Sequence, residues 1–288
     1  MRIKRRLMVV CALAATGAMV AVGVALAAGA SSTVSFSVTP KTALGTTGKP
    51  VKLTLHTHTT YPDVGPTKTT RAQLYFDKNI VFSPTSVPKC NQANLDALGN
   101  GTMQQAMATC GGSLVGTGTA AANFAAPGDI HGCVLVFNVL DANASVAGNQ
   151  AGVYLFTRLQ VPPGPISCAS VATNTQGNVT VALKAPLATN PASTTPGGPL
   201  PAANFQGGKW LDFNNIPQSL PLSDFNVQTG KGAPQTNLTG TKANFIKAKC
   251  TLRAGKKNWK MRTVFSYNQG TPNKQAVNST YPATGGCT

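Results

Sequence analysis

The chain has 288 residues, 42% of them hydrophobic and only 11% charged, with 29 Gly, 20 Pro and a formal net charge of +17. So many apolar and so few charged residues do not suit a disordered chain, and the Gly and Pro content suits a turn-rich all-β protein. The acids are seven Asp with no Glu, which leaves little material for paired-carboxylate chemistry.

MRIKRR places Arg2, Lys4, Arg5 and Arg6 ahead of an uncharged run from Leu7 to Ala30, and Ala25-Leu26-Ala27 and Ala28-Gly29-Ala30 offer small-x-small cleavage sites. Residues 1–30 therefore read as a secretory signal peptide. An uncleaved anchor is the alternative, because the run is long enough to span a bilayer. Removing the leader leaves twenty bases against seven acids, a net charge of about +13. The chain is expected to be secreted or associated with the cell envelope, touching membrane only through that segment if it is retained.

Period-2 apolar alternation dominates the rest of the chain. TVSFSVT (33–39) and VKLTLHTH (51–58) alternate, the second with Val51, Leu53 and Leu55 on one face and His56 and His58 on the other. RAQLYF (71–76) and NIVF (79–82) come next. NQANLDALGNGTMQQAMATC (91–110) predicts one or two short helices broken at Gly99 and Gly101. SLVGTGTAAANF (113–124) is a small-residue strand. CVLVFNVL (133–140) and GVYLFTRLQV (152–161) are almost continuously apolar, as for strands buried on both faces. NVTVALK (178–184) alternates again, and KWLDF (209–213), SLPLSDFNVQT (219–229), NFIKAKCTL (244–252) and NWKMRTVFSY (258–267) complete the set. The predicted fold is all-β: a two-sheet β-sandwich of Ig-like or jelly-roll type, with a short helical insert near 91–110. Residues 31–288 form one unit with 187–205 as a long Pro/Gly/Ser/Thr loop; two domains, 31–186 and 206–288, are the alternative.

Past the leader the cysteines are Cys90, Cys110, Cys133, Cys168, Cys250 and Cys287. An even set in an exported chain reads as disulfides, and six cysteines allow 15 pairings. The gaps favour sequence neighbours: Cys90 with Cys110, Cys133 with Cys168, Cys250 with Cys287. No C-x-x-C pair is present to suggest zinc.

After Asp224 come ten bases and no acid. The last two strands predict a hairpin across Ala254-Gly255-Lys256-Lys257, with Ile246, Ala248 and Cys250 on an apolar face. Lys247, Lys249, Lys256, Lys257, Lys260 and Arg262 make a basic face suited to a polyanion. Solubility and protection of strand edges are the plainer use of such charges. Other chemistry is thin. His56 and His58 sit about 7 Å apart on one strand face, enough to begin a metal site but short of ligands. No G-x-S-x-G elbow occurs, and glycines 116 and 118 suit close sheet packing better than phosphate binding.

FDKNIVFSPTSVPKCNQANL…MATCGGSLVGTGTA (76–120) and FIKAKCTLRAGKKNWKMRTVFSYNQG (245–270) resemble recurring patterns of an uncharacterised family of exported, β-rich, disulfide-containing proteins of soil actinobacteria. That family often has Pro after the second Cys, where this chain has Gly111. The resemblance implies an exported β protein and supplies no activity or site residues.

The expectation is an exported, non-enzymatic structural or adhesive protein contacting an anionic cell-wall polymer or polysaccharide through the basic hairpin. No catalytic residue, metal, cofactor or specific nucleic acid is assigned. A carbohydrate-binding module, with Trp210, Tyr267 and Tyr281 as candidate platform, or a carbohydrate-active enzyme is the alternative.

Overall fold

The computed structural model describes residues 30–42, 44–61, 67–123, 129–141, 150–161, 163–164, 166–170, 173–190, 205–217, 219–250, 258–268, 273–282 and 286–287. The signal segment up to residue 29, most of 187–205, Arg253, Lys256 and Lys257 lie outside these residues. The protein is mostly β, with 53% strand and 12% helix. In chain order the strands are β1 (Ser31–Thr39), β2 (Lys49–Pro50), β3 (Lys52–Thr60), β4 (Thr69–Phe76), β5 (Ile80–Phe82) and β6 (Cys90–Asn91). Two short helices come next, α1 (Gln92–Asp96) and α2 (Met103–Cys110). A meander then runs through β7 (Leu114–Asn123), β8 (Asp129–Asp141), β9 (Gln150–Leu159) and β10 (Val179–Thr189). The last strands are β11 (Lys209–Phe213), β12 (Leu222–Gly230), β13 (Ile246–Ala248), β14 (Trp259–Tyr267) and β15 (Lys274–Tyr281).

The long strands are joined into one large antiparallel sheet. They follow one path, β1-β3-β12-β7-β8-β9-β10-β11-β4-β14-β15, with β6 added beside β8. All neighbours on the path are antiparallel, and β10 is the strand on which it turns over, pairing β9 with its first part and β11 with its last. The sheet therefore curls into a near-barrel. Strands from before and after residue 190 are interleaved, since β12 lies between β3 and β7 and β14 beside β4.

The two edges, β1 and β15, meet side by side and are joined by side chains. Gln275 acts as a substitute backbone: its Oε1 accepts from Ser32 N at 2.7 Å and its Nε2 donates to Ser32 O at 3.1 Å. Tyr267 also donates to Gln275 Oε1 at 2.9 Å, and its hydroxyl shares a 2.7 Å bond with Ser32 Oγ. Further along, Ser279 Oγ donates to Val34 O, and Phe36 packs on Tyr281 with ring centroids 6.0 Å apart. An unpaired edge is a template for aggregation, and closing it removes that hazard.

Alternation fills the interior. Phe36, Val38, Leu53, Leu55, Val134, Val136, Leu155, Leu183 and Phe265 all belong to one buried cluster inside the sheet. β8 and β9 are apolar on the other face as well: Leu135, Phe137, Tyr154 and Phe156 form a second cluster with Leu95, Met103 and Ala106 of the helices. The helices form there because their ends are capped. Asn91 accepts from Ala93 N, and Thr102 with Gln105 makes a capping box. Disulfides Cys90–Cys110 and Cys133–Cys168 fasten this layer, and Cys250–Cys287 holds the C-terminal residues beside β13. Arg158, 4% exposed, donates to Asn100 O at 2.9 Å and Thr180 Oγ1 at 2.8 Å, tying the insert to the sheet. The glycines of β7 are required by close approach: a Cβ on Gly118 would lie 2.1 Å from Asn226 O.

A second, three-stranded sheet, β2-β13-β5, crosses one end of the near-barrel. β2 runs into β3 and β5 comes after β4, so the small sheet bridges opposite walls. Its inner face carries Ile80, Phe82, Ile246 and Ala248, all buried. The predicted hairpin between β13 and β14 does not form. β13 pairs with β2 and β5, whereas β14 pairs with β4 and β15. The partners are chosen by burial: Ile246 and Ala248 close the end of the core, and Trp259, Met261 and Phe265 line its wall.

Candidate functional site

The closed end collects lysines from many parts of the chain. Lys247 points outward from β13 beside Pro50 and Val81, and Lys49 on β2 pairs with Ala248. Lys249 donates its backbone N–H to Asn79 O at 2.8 Å, which sets it next to the turn that carries Lys78. The Lys249 stem also lies over Gly48, where a Cβ would be 2.8 Å from Lys249 Cγ. Lys242 sits in the 3-10 turn Gly240–Phe245 that leads into β13. Lys52 begins β3 opposite Gly230, and Lys231 donates its N–H to Val51 O at 3.0 Å. Lys260 starts the outer face of β14, with its N–H on Asp77 Oδ2 at 3.2 Å. Lys49, Lys78 and Lys231 are exposed and the other five are half-buried.

Of the carboxylates whose side chains are described, only Asp77 lies at this end, and it is 1% exposed. It is occupied inward, its Oδ1 accepting from Asn79 N at 2.9 Å. Asp96, Asp212 and Asp224 are placed elsewhere. Asp212 binds Arg71 through two bonds, Nε–Oδ1 at 2.7 Å and Nη2–Oδ2 at 2.5 Å, and this raises the Arg71 pKa. Asp96 holds Lys184 at 2.8 Å and accepts from Tyr154 at 3.0 Å. Asp224 belongs to the opposite end of β12. The closed end is thus a surface of eight lysines without a facing exposed acid among the described side chains. Neighbouring charges within a Debye length of about 8 Å repel one another and together attract a polyanion.

The predicted basic residues are divided by this arrangement. Lys247, Lys249 and Lys260 belong to the closed end. Arg262 does not: it is 1% exposed on the outer wall of β14, opposite Tyr75 and Asn278. Burial lowers its pKa, partly offset by Tyr75. Tyr75, in turn, is pushed up to about 12 by burial and by Asp212. Arg262 is therefore a wall residue and not part of a solvent-facing basic strip. Lys49, Lys52, Lys78, Lys231 and Lys242 carry no local sequence signal for this surface, because they are scattered over nearly two hundred positions.

The two strand histidines acquire a carboxylate. His56 Nε2 lies 2.8 Å and His58 Nδ1 3.5 Å from the same Asp224 Oδ2, on the outer face where β3 pairs with β12. All three side chains are partly exposed. Among the described residues, no three His, Cys, Asp or Glu side chains are placed to hold a metal ion.

The aromatic platform expected of a sugar-binding sheet is not assembled. Tyr267 is 4% exposed at the seam. Trp210 stacks on Tyr75 with centroids 5.5 Å apart, and Tyr281 stacks on Trp259.

Inside the near-barrel lies a cavity of about 110 Å³. Phe76, Phe82 and Phe245 line it at the closed end. Leu74, Val136, Leu155, Leu183 and Leu211 form its walls, and Thr57, Thr59, Thr69, Leu222 and Phe225 lie toward the other end.

No protein-family model, curated protein or solved structure matches this chain. Its three disulfides suit an oxidising, extracytoplasmic compartment, and no helix among the described residues is long and apolar enough to cross a membrane.

Proposed function

We propose that this is an exported binding protein of the cell envelope or extracellular space, non-enzymatic, whose lysine-rich closed end engages an anionic surface polymer. The observation that carries the proposal is the convergence of eight lysines on the three-stranded sheet and its flanks, with Asp77 turned inward. Phosphate-bearing wall polymers and acidic polysaccharides present regularly spaced negative charge to such a surface. The rigid sheet beneath, closed by Ile246, Ala248 and Phe82, keeps the charges in place without reorganisation on binding. The disulfides fit the proposed compartment, and so does the resemblance to exported actinobacterial proteins.

A lysine held at an anionic surface contributes about 1 kcal/mol, so removing three costs about 3 kcal/mol, roughly a hundredfold in Kd. The test compares Lys49/Lys247/Lys249→Gln with Lys68/Lys184/Lys274→Gln, which changes net charge equally. Retention on immobilised polyphosphate, eluted with salt, is the readout. The closed-end variant elutes at much lower salt, and the other variant stays near the parent. Equal shifts for the two variants would make the interaction a net-charge effect and remove the site.

A further inference from the structure

We infer that the interior of the near-barrel binds a slender, uncharged lipid, with its chain along the barrel and one hydrogen-bond acceptor, such as an ester carbonyl, against Thr263. The cavity occupies about 110 Å³. An engineered cavity of about 150 Å³ takes up benzene, so this volume holds an apolar group and no fused-ring ligand. Yet the lining on β3 runs from Leu53 to Thr59, six residue steps or about 20 Å of strand. A small volume spread over that length has the width of a single hydrocarbon chain.

One end is shut. Phe82 packs on Phe76 at 4.9 Å and edge-on to Phe245 at 6.3 Å, above the small sheet. At the other end Thr57, Leu222 and Phe225 line the cavity and are only half-buried, which makes that end the mouth.

The lining also selects against charge. Among the described lining residues the sole charged one is Asp224, which is engaged by His56 on the outer wall. Among the described residues, no lysine, arginine or histidine lines the interior to receive a carboxylate or phosphate. An ionised headgroup drawn inside would lose its hydration without compensation.

One polar feature is left over. Thr263 lines the cavity from β14, is 0% exposed, and its Oγ1 has no hydrogen-bond partner. Its cross-strand neighbours, Leu74 and Val277, offer none. Buried hydroxyls are almost always satisfied. A ligand acceptor would satisfy this one, and it would distinguish an ester from a plain hydrocarbon.

The test uses the purified full chain loaded with 1,6-diphenylhexatriene, an uncharged, rod-shaped apolar fluorophore without fused rings. Glycerol monolaurate, laurate and dodecane compete for the site, in the parent and in Thr263→Val, which preserves shape. Glycerol monolaurate displaces the fluorophore, and laurate is at least tenfold weaker. Thr263→Val weakens glycerol monolaurate about tenfold and leaves dodecane unchanged, as loss of one hydrogen bond requires. Ala72→Leu, which intrudes on the lining, weakens all competitors while thermal unfolding confirms that the fold is kept. Failure of every competitor to displace the fluorophore, laurate matching glycerol monolaurate, or Thr263→Val affecting dodecane as much as the ester would overturn the inference.

Discussion

Gln275→Ala should loosen the near-barrel at its seam. The side chain makes three hydrogen bonds: it accepts from Ser32 N at 2.7 Å and Tyr267 OH at 2.9 Å, and donates to Ser32 O at 3.1 Å. Ser32 is 2% exposed and Tyr267 4%, so their groups are left dry when the partner goes. At about 1 kcal/mol per net bond the loss is about 3 kcal/mol, more if the Ser32 N–H stays unpaired. In a domain of this size that is a fall of roughly 6–12 °C in Tm. Thermal and urea unfolding measure the change, with Gln275→Met separating lost packing from lost bonds. Amide exchange at Ser32 reports the seam locally, and it should accelerate well beyond exchange in β8. A Tm within about 1 °C of the parent, with Ser32 still protected, would refute the reasoning that side chains close the sheet.

Two further predictions concern pH and close packing. Burial pushes Tyr75 and Tyr267 up to about 12 and raises Tyr61 and Tyr154 as well. The folded state therefore prefers the neutral phenols, and their contribution is whole below the unfolded value near pH 10 and is lost as pH rises toward 12. Tyrosinate absorbance and circular dichroism should change together in that window; full ionisation near pH 10 with the fold intact would contradict it. Gly118→Ala should cost about 2 kcal/mol or more, because its Cβ would stand 2.1 Å from Asn226 O and 2.7 Å from Val227 Cγ1. Gly112→Ala, with nothing within 4 Å, should stay within about 0.5 kcal/mol. Equal urea midpoints for the two would show that β7 and β12 are not held so close.

Local pattern explains what could be read before the structure. Leu53 and Leu55 point inward and His56 and His58 outward, as alternation requires. The unbroken apolar runs of β8 and β9 are buried on both faces because the helical insert, stapled by Cys90–Cys110 and Cys133–Cys168, covers the outer one. What alternation cannot say is which strand a strand will choose. The short link before β14 suggests a hairpin, yet β13 is needed at the barrel end and β14 in the wall. Arg262, on the expected basic face, is buried for the same reason. The lysine surface is invisible in the sequence because its members join only through long-range pairing, such as Lys249 with Asn79. The seam through Gln275 and the unpartnered Thr263 hydroxyl depend on residues more than two hundred positions apart or on an absence, and neither leaves a mark in a local window.

Lysine footprinting by limited acetylation, with and without long-chain polyphosphate, maps the closed end as a polyanion surface. Bound polyphosphate should protect Lys49, Lys231, Lys242, Lys247 and Lys249, while Lys68, Lys184 and Lys274 react as before. Uniform protection, or protection confined to the second group, would contradict it.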